Sequence, residues 1–170
     1  MGYRAENLLR LLKAAAPALL GVLGVILLAS PLRLFEGAAP TPVFPLVIIF
    51  FWSIYGPDYL PPFVVFMIGL LQDLLTGGPL GLWPAVYLST QYIVMSQRAY
   101  FLGREQKVVW AGFAFAATGA GIILWLVMSL MSGALLPIEF PALQLLATVM
   151  IYPLFGMMFG ALHRRVLVEA

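Results

Sequence analysis

No cysteine occurs among the 170 residues, and there is a single histidine, His163. The first absence removes disulfides, thiolate nucleophiles and cysteine metal sites; with one histidine and no EF-hand spacing, no metal centre is expected. Charge is also scarce, 9% of residues against about 25% in a soluble domain. A water-facing surface cannot be assembled from so few charges. The formal net charge of +2 is too small to draw nucleic acid.

Apolar residues are abundant instead: they make up 63% of the chain, and the mean hydropathy is +1.02. This is the composition of an integral membrane protein whose partner is the lipid bilayer. A spanning helix takes about 20 residues, so six take about 120. The remainder supplies termini and connections, too little for a folded domain outside the membrane.

Apolar runs at 14–32, 43–55, 61–76, 82–95, 108–130 and 142–162 predict an all-α fold, one polytopic domain over residues 1–170. The first run follows Arg4, Arg10 and Lys13 and exceeds the apolar core of a cleaved signal peptide, about 7–15 residues. Residues 3–13 interleave leucines with those bases, a pattern suited to the interface. The second and third runs, separated by Gly56-Pro57-Asp58-Tyr59, are short. Sixteen helical residues rise about 24 Å, below the ~30 Å hydrocarbon layer. They form either two thin spans or a re-entrant pair, and the sequence leaves both open.

In either case the N-terminus, the 96–107 connection and the C-terminus share one side. That side collects Arg4, Arg10, Lys13, Arg98, Arg104, Lys107, Arg164 and Arg165, eight of the nine basic residues, with Arg33 opposite. Basic residues accumulate on cytoplasmic connections, so both termini are expected in the cytoplasm. Small residues mark candidate helix seams: Gly156 and Gly160 on the last run, and Gly112, Ala116 and Ala120 on the fifth.

Asp73 is the one acid within an otherwise apolar stretch. A carboxylate at mid-bilayer costs about 2.5–3.5 kcal/mol, less near a helix end, where Asp73 is expected to be partly hydrated. Gly69, Asp73 and Gly77 share a helical face. Trp83 and Tyr87 are candidate hydrogen-bond donors to Asp73, and Arg33 a candidate ion-pair partner. Asp73 either fastens the hairpin or meets a partner or small ligand, and its replacement by alanine is expected to weaken partner binding more than folding. The turn Gly77 to Gly81 lacks the Lys-Ser/Thr ending of a phosphate loop. His163 and Asp73 belong to opposite ends of the bundle, and the spacing of Glu36, Asp73 and Glu139 suggests no hydrolytic pair, so no enzymatic activity and no cofactor are expected. Tyr87, Ser89, Thr90, Gln91 and Gln97 make the fourth run the most polar; they stiffen the bundle or line a small cavity.

The stretch Gly69-Leu70-Leu71-Gln72-Asp73-Leu74-Leu75-Thr76-Gly77-Gly78-Pro79-Leu80-Gly81 resembles the rod shape-determining protein MreD family, whose Gly-Leu-x-x-Asp-Leu-x-x-Gly-x-Pro-Leu-Gly pattern ends one helix and opens the next. Trp52 to Tyr59 is similar to the family's aromatic and Tyr-x-Pro stretch. The resemblance implies a non-enzymatic inner-membrane subunit of the cell-wall elongation complex that binds MreC, with RodA and a class B penicillin-binding protein as neighbours and MreB reached indirectly. It also implies a compact bundle similar to vitamin-transporter substrate-binding subunits, and Gly69, Asp73, Gly77, Pro79 and Gly81 as its partner-binding or structural motif. Such a scaffold is expected to present a face near Asp73 and Gly77 without a well-formed pocket. The competing expectation, a substrate-binding subunit of an energy-coupling vitamin transporter, calls for an outward-opening pocket lined by polar groups.

Overall fold

Proline and glycine set where the apolar runs begin and stop. The computed structural model describes the backbone of residues 2–29 and 40–167, and the side chains of 15–29 and 40–158. Among these residues every regular element is helical: α1 (Gly2–Ala29), α2 (Phe44–Tyr55), α3 (Pro62–Thr76), α4 (Leu82–Ser96), the one-turn α5 (Arg98–Phe101), α6 (Gln106–Ser132) and α7 (Glu139–Leu167), with a 3-10 turn Pro57–Tyr59 between α2 and α3. Pro45 and Pro62 sit in first turns, where a missing N–H is tolerated. Gly77 ends α3 in the left-handed conformation that glycine adopts without strain. The segment read as interfacial, residues 3–13, continues α1 without a break.

Helix α2 is apolar on every side except at Ser53, whose hydroxyl donates back to the Ile49 carbonyl at 2.6 Å. A helix without a polar stripe sits either at the centre of a fold or in a membrane, and α2 takes the first place. Accordingly Pro45 to Ile54 are all buried, and α1, α4, α6 and α7 pack around them while α3 closes against α1 and α4. The Phe50 ring meets Phe101, Phe113 and Tyr152 edge-on at 5.2–5.9 Å between centroids, joining four helices, and Phe113 stacks on Tyr152 at 4.3 Å. Such aromatic pairs add about 0.5–1.5 kcal/mol each beyond area burial.

A buried helix still has unpaired backbone groups at both ends. Neighbouring side chains supply the partners. At the start of α2, the Val43 N–H donates to Thr148 Oγ1 at 3.0 Å, and Gln144 Nε2 donates to the Thr41 carbonyl at 2.9 Å. At its end, Arg98 Nε donates to the Ile54 carbonyl at 2.7 Å, a cation at the negative end of the helix. Gln91 Nε2 donates to the Leu60 carbonyl at 2.7 Å. The same logic operates in α7, where Pro153 has no N–H for the Val149 carbonyl. Trp110 Nε1 takes that carbonyl at 2.8 Å, and Gln106 Nε2, one turn earlier on α6, donates to the Pro153 carbonyl at 3.2 Å.

These pairings place successive long helices antiparallel. The 76–82 and 132–139 connections lie at one end, called the hairpin end. The 96–106 connection, with Arg98 and Arg104, lies at the other, the basic end, together with the start of α1 and the finish of α7. Among the residues whose side chains are described, two helical segments are long and apolar enough to cross a bilayer alone, Gln106–Ser132 and Glu139–Met158; Phe44–Tyr55 and Pro62–Thr76 are apolar but shorter, and Ala15–Ala29 is the apolar, described part of the longer α1.

Candidate functional site

The stretch Gly69 to Trp83 folds as one locked turn. Both Gly77 and Gly81 have positive φ, 70° and 95°, so the chain reverses at two points that side chains rarely allow. The Gly77 N–H bonds to the Asp73 carbonyl at 3.0 Å and the Leu82 N–H to the Pro79 carbonyl at 3.3 Å. Asp73 then reaches across the turn. Its Oδ2 accepts from the Gly81 N–H at 2.6 Å and its Oδ1 from the Trp83 N–H at 3.1 Å. Gly81 is the N-cap of α4, so a carboxylate carried by α3 caps the positive end of the next helix.

Gly69 lets the two helices approach this closely. A Cβ placed there would stand 2.5 Å from the Pro84 nitrogen, 2.6 Å from its Cα and 2.9 Å from the Trp83 carbonyl carbon. All three are backbone atoms, which have no rotamer to give. The five motif residues are thus brought together. Gly69 permits the approach, Asp73 ties it, Gly77 and Gly81 turn the chain, and Pro79 holds the middle of the turn.

Several sequence expectations are corrected here. Asp73 is 1% exposed, not partly hydrated, because the turn folds over it. Trp83 does donate to it, but through its backbone N–H. The Tyr87 hydroxyl donates to Gln72 Oε1, one position earlier, and Gln72 Nε2 finds no acceptor among the described residues. Arg33 and Glu36 lie outside the described residues.

The helix-packing glycines divide. Gly112 faces the Phe101 ring, whose nearest atom would be 2.4 Å from an added Cβ, so its smallness admits an aromatic ring of α5 and not a helix backbone. Ala116 is half-buried against the core, and Gly156 faces Gln106 Nε2 of α6. The surroundings of Gly160 and of His163 lie outside the described residues. On α4, Thr90 and Gln91 are buried and bonded to backbone carbonyls, while Ser89 is exposed and bonds back within the helix.

The space beside the turn bears on the two competing expectations. The face was expected to lack a well-formed pocket, yet a partly open cavity of about 520 Å³ lies there, walled by the ends of α1 and α2, the 76–83 turn and the facing halves of α6 and α7. It results from unequal helix lengths. The 27 residues of α6 rise about 40 Å, whereas the 15 of α3 and of α4 rise about 22 Å. At the hairpin end, α6 and α7 therefore overhang the short helices. Among the described residues no group of three or more His, Asp or Glu side chains is placed to hold a metal ion. Comparison with family models, with curated proteins and with solved structures finds no match for this chain.

Proposed function

We propose that this chain is an integral inner-membrane subunit of the MreD type, which acts by holding neighbours in the cell-wall elongation complex and carries out no chemistry of its own. The observation that carries this reading is the stretch Gly69 to Gly81. Its Gly, Asp, Gly, Pro and Gly all have a part in one capped turn, so the resemblance to the family pattern coincides with a structural unit.

The membrane part of the reading is supported by the exterior. Phe115 and Leu130 of α6 are each 84% exposed, and Phe140, Leu146, Met150 and Leu154 of α7 are exposed as well. In water such a contiguous apolar surface is an aggregation hazard; in lipid it is the expected boundary. The bonded ends of the short α2 fit the same environment, because hydrocarbon offers nothing to a free carbonyl or N–H. The basic end is then cytoplasmic, with MreB reached from there indirectly, and the hairpin end faces outward. MreC is the direct partner, with RodA and a class B penicillin-binding protein beside it.

The cavity is the observation that favours the second reading, a vitamin-transporter subunit. Its wall, however, is largely apolar, and its Gln144 and Thr148 are engaged with the start of α2. Affinity capture of the tagged chain from native membranes separates the two. MreC is expected as the main co-purifying protein. Recovery of a transporter's ATP-hydrolysing module in place of MreC would overturn the proposal.

A further inference from the structure

We infer that the cavity at the hairpin end holds one hydrocarbon chain of a bilayer phospholipid, an inference that rests on the membrane reading above. Its volume of about 520 Å³ falls in the range of small-molecule sites, about 300–1,000 Å³. A space of this size seats a chain-like group or a small molecule.

The wall selects its chemistry. No charged side chain lines the cavity among the described residues. Most of its polar groups are already engaged: the Thr76 hydroxyl donates to the Gln72 carbonyl, the Trp125 indole to the Leu136 carbonyl, the Gln144 amide to the Thr41 carbonyl and the Thr148 hydroxyl to the Gln144 carbonyl. A charged or richly polar metabolite would give up its hydration with little to replace it. A hydrocarbon chain gives up nothing comparable. It makes van der Waals contact with Leu124, Met128 and Leu145 along its length. A free fatty acid offers the same kind of chain; the phospholipid is taken as its source because it is what the bilayer around the protein is made of.

The test uses the full chain in liposomes doped with phosphatidylethanolamine that carries a diazirine near the end of one acyl chain. A parallel arm uses diazirine-labelled palmitic acid. A carbonate wash first establishes that the chain is membrane-integrated; release at that step would remove the membrane reading and the inference with it. After irradiation, adducts from the phospholipid are expected on the half-buried Leu124 and Leu145 at several times the level on the exposed Phe115 and Leu130. Gly121→Phe fills the space, since a Cβ at Gly121 has only Leu145 Cδ2 near it, at 3.9 Å. It is expected to abolish the cavity adducts and leave those on Phe115 unchanged. Leu124→Trp serves the same purpose if Gly121→Phe does not fold. In an integrated protein, cavity adducts no higher than those on the outer face, or undiminished in both filled variants, would overturn the inference. Stronger cavity labelling by palmitic acid than by the phospholipid would overturn the assignment to phospholipid.

Discussion

Gly69→Leu is expected to remove most of the folded protein. Even Gly69→Ala places a Cβ 2.5–2.9 Å from three backbone atoms of Trp83 and Pro84. The only relief is to push α3 and α4 apart. Overpacking typically costs about 1–3 kcal/mol, and backbone contacts put this case at the upper end for alanine and beyond it for leucine. Separation of the helices also lengthens the bonds from Asp73 to Gly81 and Trp83, so the two losses are coupled. Gly119→Leu on α6 is the control, because nothing lies within 4 Å of a Cβ there. The check is the monodisperse yield and melting temperature of the detergent-solubilised variants. Wild-type melting of Gly69→Leu would mean that α3 and α4 do not pack as described.

The second large effect is expected at Asp73, and it reverses the order anticipated from sequence. With both carboxylate oxygens engaged by backbone N–H groups, alanine removes the cap of α4 and the tie across the turn. Hydrogen bonds to a charged group contribute about 1.5–3 kcal/mol each, but Gly81 is exposed and can recruit water, so a total loss of about 2–4 kcal/mol is expected for Asp73→Ala. Asp73→Asn keeps one acceptor and sets an NH2 against the other donor, so it should fall between alanine and wild type. Thermal melting gives the order, and capture of MreC by the same variants gives the functional consequence. Wild-type melting of Asp73→Ala together with lost MreC capture would show that the carboxylate serves the partner directly.

Much of the helical layout could be read from the sequence because proline and glycine punctuate it. Gly56-Pro57, Pro61-Pro62 and Gly77-Gly78-Pro79 mark real ends. The pairing of Gly69 with Asp73 and Gly77 was also visible, since four-residue spacing puts side chains on one helical face. The partners of Asp73 were not. Side-chain chemistry points to Trp83, Tyr87 and Arg33 as partners, whereas the carboxylate is met by backbone N–H groups, which every sequence contains. Gln144 and Thr148 give no sequence signal for a related reason: two neutral polar residues in an apolar run carry no pattern of their own, and they matter because α2 starts opposite them. Arg98 was read only as a loop charge, yet its Nε closes the end of α2. The cavity had no sequence signal beyond the lengths of the runs. Unequal lengths become a cavity only once it is known which helices lie side by side.

The membrane placement and the direction of the bundle are tested together by cysteine accessibility. The chain has no cysteine, so single introduced thiols report without background. Leu80→Cys and Ala134→Cys lie in two of the connections at the hairpin end, and Ala99→Cys lies at the basic end; all three positions are exposed. In spheroplasts with an intact inner membrane, a membrane-impermeant maleimide is expected to label the first two at once and Ala99→Cys only after permeabilisation. Labelling of Ala99→Cys in intact spheroplasts, or Leu80→Cys and Ala134→Cys on opposite sides, would contradict a bundle that crosses the bilayer with its basic end in the cytoplasm.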